Sequence, residues 1–292
     1  DAGRPLRNIR LLIEYEGTRY AGWQFQPAQR TVAGDLLEAI HRTLRDRPRL
    51  FGAGRTDQGV HAEGQVANFQ TRARETPDAV ADALNRELPA DINVIQASEA
   101  PLSFHARHDA VARRYRYQIA SRRSAFFKRL IWWVRHPLNL AAMEEGARAL
   151  SGRHDFTSFA DRSGPIAEPR VRVFSAAFRR GEFLTSFTIE ADHFLPRMVR
   201  RVVGVLVEIG AGRLPPESVT RFLREIVEDP AQWTAPPSGL FLEKVLYPGD
   251  PVARGAGAVP SGSTGGPSTV APSALAAPEG ARYTRRPRRN RS

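Results

Sequence analysis

The sequence predicts an α+β fold: two ferredoxin-like (RRM-like) halves around a central antiparallel sheet, with the helices on one face and a cleft between the halves. Three observations predict it. Ile9, Leu11, Ile13 and Tyr15 alternate with Arg10, Leu12, Glu14 and Glu16, the period-two pattern of a strand with one buried face. Thr31 and the run Thr76-Pro77-Asp78 stand ahead of stretches with helical apolar spacing. Residues 1–104 then read in the order β-α-β-β-α-β, and residues 105–248 read as a second unit.

Within the first unit, Glu16-Gly17-Thr18 turns the opening strand, and Tyr20-Ala21-Gly22-Trp23-Gln24 follows as an aromatic loop. Thr31 caps a helix with Val32, Leu36, Leu37, Ile40 and Leu44 on one side. A glycine-rich loop leads to a strand over 65–69. Pro77, at a first helical position, starts a helix that runs to about Leu88, and 91–97 reads as a strand. In the second unit, Val111, Tyr115, Tyr117 and Ile119 fall on one face of a long strand, with Arg114 and Arg116 on the other. Residues 126–135 are aromatic and basic. Asn139 caps a helix through Leu140, Met143, Ala147 and Leu150, 154–159 is an aromatic loop, and 161–169 is a turn-rich connection. A hairpin over 171–178 and 183–189 turns at Arg180-Gly181. Pro196 opens a strong helix with Met198, Val202, Val205, Leu206 and Ile209 inward, and Pro216 a shorter one through Val219, Phe222, Leu223 and Ile226. Residues 239–247 close the unit as a strand.

From Gly249 the composition is almost wholly Ala, Gly, Pro, Ser and Val before an Arg-rich end, so 249–292 is expected to be a disordered tail. At 292 residues and 41% apolar, the chain can bury one large core or two smaller ones. It has no apolar run of eighteen residues, and its first residues lack an apolar signal region, so a cytoplasmic location is expected. The absence of cysteine excludes disulfides, thiolate zinc and a cysteine nucleophile. Net charge is +12, and all 43 basic residues except Lys128 and Lys244 are arginine. Seven arginines against Asp250 and Glu279 give the tail +5 and leave +7 to the body, which favours a polyanionic partner. The tail's cationic end can add non-specific RNA contact.

Residues 51–69, FGAGRTDQGVHAEGQVANF, carry the densest chemical signal. Glycines at 52, 54 and 59 let the loop turn sharply and approach a ligand. Arg55, two residues from Asp57, is expected to hold that carboxylate ionised and fix its direction. On spacing alone, an Asp after Thr in such a loop, here Asp57, is more often an Asx-turn that caps its own backbone than a functional acid.

The string GAGRTDQGVHA resembles the signature of the TruA family, the tRNA pseudouridine synthases, and the resemblance implies that Asp57 is the catalytic aspartate. FHAR at 104–107 followed by ARRYRY at 112–117 is similar to a second family pattern, which puts the active-site tyrosine at Tyr115. An aromatic ring there can stack on a flipped uracil. MVRRVVG at 198–204 resembles the family's helix start and places Arg200 near the carboxylate. GLFLEKVLY at 239–247 resembles its closing strand, with Leu240 under the target base. The expected site therefore has Asp57, Arg55 and Arg200 as catalytic residues, with Tyr115, Leu240, His61, Arg113, Arg114 and Arg116 binding substrate. Pro196-Arg197 stands where the family commonly has His-His, and the DRSGPIAEPR connection only loosely follows the family.

The resemblance implies isomerisation of uridine to pseudouridine at positions 38, 39 and 40 of the tRNA anticodon stem-loop, by a homodimer. The reaction keeps the oxidation level, so no cofactor is expected, and the loop is neither GxGxxG nor GxxxxGK[ST]. His105 and His108 lack a third ligand, so no metal is expected. Two other readings stand beside this one. The first is a catalytically silent RNA-binding protein on the same fold. The second is a carboxylate hydrolase, for which Glu63 is the nearest second acid.

Overall fold

The computed structural model describes residues 4–250; residues 251–292, which hold nearly all of the expected disordered tail, lie outside the described residues. Strand β1 (Arg7–Tyr15) buries Ile9, Leu11, Ile13 and Tyr15 on one face. Removing each such aliphatic side chain from water contributes about 1.5–3 kcal/mol. Thr31 accepts from the Gly34 N–H and starts α1 (Val32–Leu44), and Thr76 does the same for Ala79 at the start of α2 (Pro77–Glu87). Short β2 (Phe51–Gly52), long β3 (His61–Thr71) and β4 (Ile92–Ala100) complete this part. β1 lies between β3 and β4, antiparallel to both, and β2 pairs with the outer edge of β3.

The second part begins with β5 (Ala112–Ala120) and β6 (Trp132–Trp133), followed by α3 (Leu140–Arg148), capped by Asn139. β7 (Gly152–Asp155) and a 3₁₀ turn at Thr157–Phe159 occupy the stretch read from sequence as an aromatic loop. The pattern missed β7 because four residues are too few to show alternation. β8 (Arg170–Arg180) and β9 (Leu184–Ala191) form the expected hairpin. α4 (Met198–Gly210) buries all five residues expected to face inward. α5 (Ser218–Arg224) stops short of Ile226, which is exposed. β10 (Leu240–Leu246) closes the fold.

The strands form one sheet in the order β4-β1-β3-β10-β5-β9-β8-β7. It is mixed rather than purely antiparallel. β10 runs antiparallel to β5, and its other edge meets β3 in parallel at Phe241–His61 and Leu242–Ala62. β6 also pairs parallel with β5. The outer edge of β3 thus changes partner along its length, from β2 at Ala67 and Asn68 to β10 at His61 and Ala62. The glycine-rich loop leaves β2 and re-enters β3 in that gap. One face of the junction carries the row Tyr15–Ala62–Leu242–Tyr115, in direct register across four strands. The opposite face carries His61–Phe241–Arg116.

Candidate active site

The loop from Ala53 to Val60 is held at nearly every residue. The Ala53 N–H donates to Val66 O at 2.8 Å, and Gln65 grips Gly54 twice, donating to its carbonyl (2.8 Å) and accepting from its N–H (3.3 Å). Thr56 turns inward, its hydroxyl 2.8 Å from that of Tyr15, while its carbonyl accepts from the Trp23 N–H (3.1 Å). The Gly59 N–H reaches Tyr20 O, and the Val60 N–H closes a turn onto Asp57 O at 3.1 Å. Gly59 needs its glycine, with φ at +77°. So does Gly22, at +111°, where an added Cβ would lie 2.6 Å from Thr56 O. The aromatic loop at 20–24 therefore braces the glycine-rich loop that carries Asp57.

Asp57 projects from this frame with its side chain 37% exposed, and Arg200 Nη1 approaches its Oδ2 at 3.5 Å. Arg200 sits in the first turn of α4 and donates from Nε to Ala235 O at 2.7 Å, which leaves its terminal nitrogens toward the carboxylate. Around the pair is a cleft of about 680 Å³. Arg55, Gln58, Gly59, Arg197, Pro237 and Ser238 contribute to its lining. Arg197, one of the residues standing in place of His-His, faces this cleft from a left-handed backbone (φ 60°) and pairs with Asp161 at 3.1 Å.

Arg55 lies exposed on the cleft wall and forms no ion pair with Asp57 among the described residues; the partner is Arg200. Thr56, turned in to Tyr15 between them, sends Arg55 outward. Tyr115 is buried, its ring edge-on to Phe194 (4.9 Å), and its hydroxyl reaches the position of Gly54. Burial holds that phenol far above its ordinary range, with Tyr15 and Asp57 adding to the effect, so it stays neutral. Leu240 is buried opposite Tyr117; the residue opposite Tyr115 and beside Gly54 is Leu242.

The other four expected substrate contacts do not converge on Asp57. His61 is the first residue of β3, so strand alternation turns it to the face opposite Tyr115, stacked on Phe241 at 4.8 Å. Its Nδ1 accepts from the Gly17 N–H (2.9 Å), which assigns the remaining proton to Nε2. Burial lowers its pKa, against the pull of Glu16 at 3.6 Å. Arg113 shares the tyrosine face and gives its guanidinium to four carbonyls, those of Ala53, Arg107, Ala110 and Asp192. Arg114 pairs with buried Glu190 at 2.7 Å. Arg116 pairs with Glu63 and lies over the Phe241 ring at 5.1 Å. Sequence reasoning missed Gln65 and Leu242. The one signal for Gln65 was a long amide at a buried position of β3, beside Val66 and Ala67.

A sequence model of the family described as tRNA pseudouridine synthase matches residues 11–109 and 147–248. The chain is 39% identical over 245 residues to the tRNA pseudouridine synthase A of Thermoanaerobacter sp. (strain X514), covering 83% of this chain and 100% of that protein. It is 44% identical over 248 residues to the protein of that name from Chlorobium luteolum (84% and 97% covered). A third relative of that name, from Geobacter sulfurreducens, is 44% identical over 246 residues (83% and 100% covered).

Proposed function

This chain belongs to the tRNA pseudouridine synthase family, and from that premise we propose that Asp57 is the carboxylate with which it converts uridine to pseudouridine in the tRNA anticodon stem-loop, at positions 38, 39 and 40. One observation carries the proposal. Asp57 is the acid that the braced loop presents to the basic cleft, with a guanidinium as its ionic partner.

The reaction breaks the N1–C1′ bond, turns the base and joins C1′ to C5; C5 loses a proton as N1 gains one, so composition is unchanged. A carboxylate beside the ribose or the base can act as nucleophile or as base. Arg200 orients Asp57 and offsets the cost of holding its charge in the cleft. The neutral Tyr115 ring, with Leu240 and Leu242 in the same buried face, limits where a detached uracil can go. Everting a nucleotide costs a few kcal/mol, which phosphate contacts from Arg55 and Arg197 on the cleft wall offset. Residues 1–104 and 105–248 are two ferredoxin-like halves in this reading, supported by the orders β4-β1-β3-β2 and β10-β5-β9-β8. The working form is a cytoplasmic homodimer.

The test is pseudouridine formation in a tRNA transcript, read by carbodiimide labelling. Asp57→Asn is expected to form no product while binding tRNA within about threefold of wild type. Turnover by that variant removes Asp57 from the chemistry, and release of free uracil or ribose by the wild type turns the reading toward a hydrolase.

A further inference from the structure

Residues 121–136, between β5 and the start of α3, read SRRSAFFKRLIWWVRH, with five Lys or Arg and no acid. They lie within 110–146, a stretch that falls between the two blocks matched by the family model. Burial explains the second part of this segment, where Ile131 and Val134 are core. It does not explain the first. Phe126 is 93% exposed and Phe127 44%, side chains that folding gains nothing by leaving in water.

Around them the cations are already laid on rings. Arg122 lies over Phe183 at 4.3 Å, Arg123 and Arg135 over Trp133 at 5.3 and 5.2 Å, and Phe127 tilts against Phe183 at 6.3 Å. Glu182, in the turn beside Phe183, is an acid close by in sequence. The segment also adjoins the cleft. Ile131 O accepts from Ser238, a residue of the cleft rim, and buried His61 faces the backbone of both Arg129 and Ser238.

We propose that residues 121–129, with Phe183 and Trp133, form a second RNA-binding platform continuous with the catalytic cleft, on which an unpaired base stacks on Phe126 while Arg122 and Arg123 hold flanking phosphates. Aromatic rings interleaved with arginines are the composition that binds single-stranded or everted nucleotides, because every base has a stacking face and every linkage a charge. Charge selects the occupant. A second copy of this chain would bring a patch of the same sign against the first, whereas RNA brings phosphates. The proposal rests on tRNA being the substrate.

The experiment uses the full chain and measures both the Kd for a tRNA transcript by filter binding and pseudouridine formation. Phe126→Ala/Phe127→Ala is expected to raise Kd about tenfold with kcat at saturating tRNA unchanged and the sedimentation coefficient unaltered. Arg122→Glu/Arg123→Glu, at exposed positions where folding is not in question, is expected to raise Kd at least as much and to flatten the slope of log K against log salt by about two. A Kd within twofold of wild type in both variants overturns the platform. So does a shift in oligomeric state, which would make this face a contact between copies. A wild type that binds tRNA yet forms no pseudouridine refutes the catalytic reading and leaves the Kd comparison to judge the platform.

Discussion

Two sets of arginines in this molecule look alike in sequence and behave oppositely in the fold. On β5, Arg113 gives its guanidinium to four backbone carbonyls and Arg114 to buried Glu190, while Arg116 pairs with Glu63. In the cleft, Arg55 is exposed and Arg200 spends only Nε on a carbonyl, keeping its terminal nitrogens toward Asp57. A run of cations is therefore not by itself a binding surface. What matters is how many of each guanidinium's donors the protein has already used. Of the β5 set, Arg113 holds the glycine-rich loop from beneath, reaching Ala53 O at 3.0 Å. The cleft set faces what enters.

That contrast can be broken experimentally, most sharply at Arg113. Arg113→Ala leaves four carbonyls to find new partners and is expected to cost roughly 3–4 kcal/mol of stability, read as the urea midpoint. Arg200→Ala is expected to do the reverse: kcat/KM for tRNA falls about 100-fold, about 2.7 kcal/mol of transition-state stabilisation, while the midpoint moves by less than about 1 kcal/mol. If Arg113→Ala proves harmless to folding, or Arg200→Ala unfolds the protein, the division between clamp and cleft is wrong. Gly22→Ala sharpens it further. A Cβ 2.6 Å from Thr56 O, on a backbone at φ +111°, is expected to lower kcat about tenfold by displacing the loop, with tRNA affinity nearly kept. A parallel loss of affinity would mean that the aromatic loop touches RNA itself.

The smallest effects are pH effects, and two histidines supply them with opposite sign. Burial lowers the pKa of His61, so the folded state refuses a proton that the unfolded chain accepts near 6.5; its contribution is complete above that value and shrinks as pH falls below it. The hydrogen bond that His193 Nδ1 donates to Asp192 raises the pKa of His193, whose contribution is complete below about 6.5 and is lost as pH rises through the folded value. His193→Gln is therefore expected to be destabilised relative to wild type at about pH 6, with the gap narrowing as pH rises through the folded value, as measured by denaturant midpoints across a pH series. A gap that stays constant with pH would show that the Asp192 pair does not titrate with folding.

Much of this was legible from residues alone. The alternation of Ile9, Leu11, Ile13 and Tyr15 announced β1, and Thr31, Thr76 and Asn139 marked helix starts where their side chains do cap. Asp57 was legible as the candidate acid because an eleven-residue string surrounds it. Spacing pointed away from its ionic partner, which only the resemblance of MVRRVVG put nearby. Arg55 is two residues away in the chain but turned outward, whereas Arg200, 143 positions later, arrives on another element. His61 was read as loop because the strand that contains it begins four residues before its pattern becomes apolar.

The sequence alone specifies most of the strands and helices, because local dihedral preference, capping and apolar period act within a few residues; the short β2, β6 and β7 escape those signals. It also determined which acid stands in the glycine loop. The three-dimensional fold settles that Arg55 turns away from that acid while Arg200 meets it, that Leu242 rather than Leu240 faces Tyr115, and that His61 looks away from the site. Those outcomes depend on strand register and on the parallel meeting of β10 with β3. A one-residue shift there exchanges the two faces of the sheet, and no local pattern encodes it.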